Sequence, residues 1–153
     1  MFKVGIIGDE ASQDFQTVVD MAVEFNLDSI EVRSVWDKAP QELTDQDIDN
    51  MKQILEGTNV KIIGIASPFY KCDIDNTEER KEHINILKQC IKLAKAFDVN
   101  LIRTFVFWKI DNIEERWGEI VGSYYEPVRI AESEGITLGM ENEYSTNLAT
   151  AKL

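Results

Sequence analysis

The residues in this sequence best suited to chemistry are carboxylates, lysines and aromatics that follow short apolar runs. In chain order they are Asp9-Glu10, Arg33 to Trp36, Ser67-Pro68-Phe69-Tyr70-Lys71, Trp108-Lys109 and Glu141-Asn142-Glu143. Glu141 stands apart because it closes the run Thr137-Leu138-Gly139-Met140 and shares a period-2 face with Gly139, where a missing side chain leaves room for a ligand. Carboxylate oxygens there suit a hard divalent cation, and the same group can serve as a general base. Glu143 lies one pleat further out. Lys71 and Trp108 extend the set: aromatic rings cover the apolar face of a small polar ligand such as a sugar, and charged groups take its hydroxyls or a metal. Asp9 and Glu10 are equally placed to cap the next helix, where negative charge is favoured. Cys72 and the single histidine, His83, show no spacing that assigns them a role.

The elements that position these groups form a repeat. Five runs read as buried parallel strands: 3–8, 29–34, 61–67, 101–108 and 137–142. Four helical patterns separate them, with apolar residues at i, i+3, i+4 and i+7, as in Phe15, Val18, Val19 and Ala22. Thr44 is a suitable N-cap for the second helix, Asn76-Thr77 for the third, and Asn112 with Glu115 for the fourth, which Pro127 should kink or split. The joins EFNLDSIEV, EGTNVKIIGI, AFDVNLIRTF and ESEGITLGME each end a helix on Gly, Asn or Asp and launch the next strand through an apolar residue. Such alternation specifies one α/β domain with a parallel sheet and right-handed βαβ crossovers.

Charges inside the strands choose between two architectures. In the second strand Glu31 and Arg33 share one face, and in the fourth Arg103, Phe105 and Phe107 do. A doubly wound sheet, buried on both faces, tolerates such charges poorly. A barrel interior places side chains of alternate strands in one layer, so Glu31 and Arg103 are expected to meet there as a structural ion pair. An eight-stranded barrel takes about 250 residues. The 153 residues here supply its first five strands.

Composition narrows the partners. A net charge of −12 argues against nucleic acid and anionic membranes. No stretch approaches the roughly 20 apolar residues that cross a bilayer. The opening MFKVGIIGDE turns acidic too soon for a secretory signal, so a cytoplasmic protein with reduced Cys72 and Cys90 is expected. A five-unit signalling receiver has a comparable length, but it needs an acceptor Asp after the third strand and a Lys after the fifth. Ser67-Pro68 and Glu141 stand there instead.

Five segments in register, GDEASQDF, IEVRSVW, IASPFYKCD, IRTFVFW and LGMENE, resemble the sugar phosphate isomerase/epimerase family of xylose isomerase-like TIM barrels. The resemblance implies an enzyme that isomerises or epimerises a small sugar or polyol. It also implies a divalent metal (Mn, Mg, Co or Zn) that holds neighbouring carbonyl and hydroxyl oxygens while a carboxylate moves a proton on the adjacent carbon. By this resemblance Glu141 is the fifth-strand metal ligand and acid/base, Lys71 and Trp108 line the substrate pocket, and Glu31 and Arg103 belong to the barrel interior; Glu143, placed by the residues alone, is either a substrate-binding neighbour or solvated rim. Such enzymes take an acidic residue, a His and a second Glu from strands six to eight. Residues 1–153 are therefore expected to be the N-terminal portion of a (β/α)8 barrel lacking those strands, inactive alone. Its unpaired edges, and Phe105 and Phe107 on an open inner face, should drive homo-oligomerisation. The alternatives are a non-catalytic half-barrel that pairs with itself or with a C-terminal half, and endonuclease IV-like hydrolysis, which the acidic charge disfavours.

Overall fold

The computed structural model describes residues 2–150. Its strands are β1 (Gly5–Ile7), β2 (Ser29–Val32), β3 (Lys61–Ile65), β4 (Leu101–Thr104) and β5 (Thr137–Met140). They form one sheet in the order β1-β2-β3-β4-β5, with every neighbouring pair parallel. A doubly wound sheet reverses its strand order at a switch point, and this one does not. Sequential winding with right-handed crossovers places the connecting helices on one face. The sheet is thus an arc of barrel wall, clothed outside and open inside.

The helices are α1 (Phe15–Glu24), α2 (Asp45–Leu55), α3 (Thr77–Ala96), α4 (Ile113–Ser123) and α5 (Tyr125–Ser133). Thr44 and Asn76 are N-caps as expected, accepting the Asp47 and Glu79 amides, each at 3.2 Å. Asp14 caps α1 through the Thr17 amide at 2.9 Å. Asp9 and Glu10 do not; they sit in a 3-10 turn ahead of it. Asn112 makes no side-chain cap bond. The fourth helical pattern splits at Tyr124, because Pro127 has no N–H for the Ser123 carbonyl. That carbonyl accepts the Tyr70 hydroxyl instead, at 2.8 Å.

Each helix-to-strand join contains a left-handed residue: Asn26, Gly57, Asp98 and Gly135, with φ of 54°, 79°, 56° and 71°. Three of the joins close with an amide reaching five residues back, Leu27 to Ala22, Val99 to Ala94 and Ile136 to Ala131, at 2.8 to 2.9 Å. The apolar residue that launches the strand is the same one that closes the helix.

The core fills the space between sheet and helices. Ile30, Val32, Ile62, Ile65 and Ile102 alternate onto that side and pack with Phe15, Met51, Leu87 and Leu93 of the helical layer. Burial of each such side chain contributes roughly 1.5–3 kcal/mol. The register slips between Ile30 and Glu31, so that Ile63 has no partner on β2 and is 54% exposed. Among the described residues no helix is long and apolar enough to cross a membrane.

Two expectations fail at β4. The strand ends at Thr104 rather than continuing to residue 108, and Phe105 and Phe107 are buried rather than laid on the open face. Phe107 takes a left-handed φ of 51°, and the Phe105, Phe107 and Trp108 amides bond the carbonyls of Phe69, Tyr70 and Cys72. Beyond the strand the Phe107 ring packs into the core, while the Phe105 ring is covered by the Lys71 and Arg103 cations.

The corner before α2 yields a prediction. Asp47 returns the Thr44 cap by accepting the Thr44 amide at 2.8 Å, and it also takes the Lys38 ammonium at 2.8 Å. Lys38 and then Thr44 pull its pKa down to about 2. A depressed carboxylate stabilises the fold above its unfolded value, near 3.8, and the benefit fades as pH falls toward about 2. Thr44→Ala should cost about 1 kcal/mol in denaturant unfolding near neutrality. Asp47→Asn should remove the part of the acid destabilisation that falls in this window; an unchanged acid profile would contradict the assignment.

Candidate active site at the strand ends

The carboxyl ends of β3, β4 and β5 converge on Arg103. Its guanidinium donates to the Ala66 carbonyl at 3.1 Å and to the Ser67 carbonyl at 3.4 Å, and Nη1 meets Glu141 Oε2 at 3.0 Å. The register makes this possible: Arg103 pairs with Gly139, so Glu141 stands one pleat above it on the adjacent strand. The Glu141 amide donates to the Thr104 carbonyl at 3.0 Å, which keeps the backbone paired where the side chain is needed.

The predicted Glu31–Arg103 pair does not form. Glu31 is level with Gly64, while Ile102 is level with Ile65, so Arg103 lies two residues above Glu31 and two strands away. At about 3.3 Å per residue and 4.8 Å per strand the carboxylate of β5 is the nearer partner. The Glu31 stem lies instead over Gly64, where an added Cβ would come 3.5 Å from Glu31 Cγ.

Lys71 and Glu143 form a second pair beside the first, at 2.6 Å. The Lys71 ammonium lies 4.7 Å from the Phe105 ring centroid and 5.6 Å from that of Trp108, and the Arg103 guanidinium also lies 4.7 Å from Phe105. The Phe105 ring thus joins two cations, each tied to its own carboxylate. Lys71, followed by the Ser145 hydroxyl, holds the Glu143 carboxyl below the usual range. Trp108 is 40% exposed at this rim. Glu141, Lys71, Trp108 and Glu143, all singled out in the sequence, are therefore brought to one place.

The room expected beside Gly139 is partly taken. A Cβ there would lie 3.1 Å from Leu101 Cδ1, so the β4 leucine fills the gap. At the other end of the sheet Asp9 and Glu10 grip Arg33, with contacts of 2.8 and 2.7 Å, and raise its pKa.

Two positioning residues escape sequence reasoning. Asn147, buried, accepts the Ile110 amide at 2.9 Å and donates to the Trp108 carbonyl at 3.1 Å, tying the loop after β5 to the loop after β4. His83 accepts the Tyr70 amide through Nδ1 at 2.9 Å. An isolated Asn or His carries no local signal of such contacts.

Among the described residues no three His, Cys, Asp or Glu side chains are placed to hold a metal. Glu141 is engaged with Arg103, so this part of the structure does not by itself fit a divalent ion.

The sequential parallel sheet, with a polar cluster on its carboxyl rim, is an arc of a β/α barrel. The chain belongs to the xylose isomerase-like TIM barrel family, whose model matches residues 19–152. It is similar in structure to a D-tagatose 3-epimerase-like protein (TM-score 0.71, 21% identity, 92% of this chain and 53% of that one). It is also similar to the IolI protein with a bound zinc atom (TM-score 0.77, 18% identity, 96% and 54%). A xylose isomerase-like TIM barrel protein from Mycobacterium smegmatis in complex with magnesium has a TM-score of 0.69 and 14% identity, with 98% and 60% covered. The chain spans about half the length of the solved structures it matches. No curated protein is significantly similar in sequence.

The strapping role of Arg103 is testable. Arg103→Met should lower stability by about 1.5–3 kcal/mol, the usual worth of a hydrogen bond to a charged group in a half-buried site. Arg103→Lys should restore only part, because an ammonium lacks the planar fork that reaches two carbonyls and a carboxylate. Equal stability of all three proteins in urea would refute the strap.

Proposed function

We propose that this chain forms the first five β/α units of a metal-dependent sugar or polyol isomerase or epimerase acting in the cytoplasm, with strands six to eight completing the barrel. The observation that carries this reading is Glu141. It follows directly on β5, reaches Arg103 at 3.0 Å, and stands beside the Lys71–Glu143 pair in a chain of this family. Epimerase-like, zinc-bound and magnesium-bound relatives support a sugar substrate and a divalent ion in the complete barrel. In this reading Glu141 is one carboxylate ligand and the group that moves a proton at the carbon beside a carbonyl. Lys71 and Glu143 hold substrate hydroxyls, and Trp108 covers an apolar sugar face.

The test uses the complete barrel with Mn²⁺, Mg²⁺, Co²⁺ or Zn²⁺ and a panel of ketoses. Glu141→Gln should lower turnover by about 10²-fold or more with the fold intact by circular dichroism. Wild-type turnover in Glu141→Gln would remove Glu141 from the role.

A second reading, a half-barrel that associates through its open side, is favoured by one observation. Ile63 and Leu101 are 54% and 43% exposed, and β1 and β5 are the outer strands of the described sheet. Sedimentation of the 153-residue chain should show mass rising with concentration, and Leu101→Lys should weaken the association. A mass that stays monomeric at high concentration would sink this reading.

A further inference from the structure

Lys71 is delivered to the rim by a tight turn whose conformation depends on a side chain from another element. The Lys71 amide bonds the Pro68 carbonyl at 2.9 Å, closing a four-residue turn with Phe69 and Tyr70 at its centre. Tyr70 has φ +62°, and Phe69 is not left-handed, which makes this a type II turn with a tyrosine at the position that normally requires glycine. The alternative type I turn differs by a flip of the Phe69–Tyr70 peptide, which any pair of L residues accepts more readily.

Both ends of that peptide are held. The Phe69 carbonyl accepts the Phe105 amide at 2.9 Å, and the Tyr70 amide donates to His83 Nδ1 at 2.9 Å. Tyr70 is only 3% exposed, so water does not replace the imidazole. The Tyr70 ring stays fixed by stacking on Phe69 and Phe107, with centroids 4.1 and 4.4 Å away, and by its hydroxyl bond to Ser123. The peptide is thus held on its carbonyl side by the Phe105 amide and the Thr104 hydroxyl, the latter at 3.3 Å, and on its amide side by His83, the one of these holds that a proton can remove.

We propose that His83 is the positioning residue for Lys71: its unprotonated Nδ1 catches the Tyr70 amide, selects the type II turn and presents the ammonium to Glu143, Phe105 and Trp108, and a proton on the ring releases it. An imidazolium has two donors and no acceptor, so it faces the Tyr70 N–H with an N–H of its own. Burial holds the His83 pKa below its ordinary 6.5, against Glu79 and Glu82 on the same helix, which favour the cation. From the facing loop come the Tyr70 phenol and the Cys72 thiol, which burial pushes up to about 12 and so keeps neutral. The Tyr124 phenol, before α5, is raised likewise. Arg80, a turn away on α3, is paired with Glu119 of α4 at 3.7 Å, and Glu126 of α5 acts on the Tyr70 phenol. Because the folded pKa is depressed, the latch is closed above the ordinary value and opens as pH falls through the lower, folded one.

The test needs neither ligand nor turnover, so it stands apart from the role given to Glu141. Reductive methylation of Lys71 at roughly pH 8, where the imidazole is neutral, should be several-fold faster in His83→Leu than in wild type. In His83→Asn it should match wild type, because Asn Oδ1 stands near the place of Nδ1. Lys38, tied to Asp47 elsewhere, should label alike in all three and reports general loosening. Equal Lys71 labelling in all three proteins, or a rise at Lys38 together with Lys71, would overturn the proposal. In a second measurement the Trp108 indole resonance should shift as wild type is acidified through the His83 pKa and stay flat in His83→Asn. Identical behaviour in the two would overturn the proton step.

Discussion

A parallel sheet wound in one direction buries one face under helices, so the charged side chains of its other face must satisfy one another across the strand ends. Arg103 is where this constraint is met. β3 and β4 share a single register pair, Ile65 with Ile102, so few ladder bonds join them. The guanidinium bonds to Ala66 and Ser67, and the reciprocal bond from the Ser67 hydroxyl to the Arg103 carbonyl at 2.6 Å, do that work just above the strands. The remaining arm reaches Glu141 and fastens β5. One side chain thus closes three strand ends that the backbone leaves loosely joined.

The loops above this strap are held by rings. Phe69, Tyr70, Phe107 and Tyr124 form a continuous pile, with Tyr124 edge-on to Tyr70 at 5.1 Å. Tyr70 and Phe107 are both left-handed, a conformation costing a non-glycine residue of order 1–3 kcal/mol. The burial of two large rings, worth about as much each, offsets that cost. The strained turns therefore persist, and they aim Lys71 and Trp108 outward from a rigid base.

What the sequence makes legible follows from how local the determining contacts are. The helix-to-strand joins are readable because Asn26, Gly57, Asp98 and Gly135 signal a left-handed cap within a few residues of the helix they end. The Thr44 cap and the break near Pro127 are local in the same sense. Glu141, Lys71, Glu143 and Trp108 are readable as a group because strand ends in such a sheet must converge. The partner of Arg103 is not, since it depends on a register that one extra residue, Ile63, displaces between β2 and β3. The end of β4 is not readable either, because the apolar run through residue 108 suits a strand and a buried loop equally. His83 and Asn147 act on amides 13 and 37 residues away, and nothing near them in sequence announces it.

The strap also sets how Glu141 is available. Arg103 keeps two carbonyl partners whether or not it holds the carboxylate, and its side chain is 16% exposed. Glu141 touches it through one contact and is 44% exposed. Ion pairs at such exposure are worth roughly 0–1 kcal/mol, whereas the carbonyl bonds are shielded. The pair is therefore asymmetric: Arg103 is anchored and Glu141 is detachable. A ligand that offers Glu141 a better partner displaces a weak contact without loosening the strand ends, because the guanidinium stays on Ala66 and Ser67.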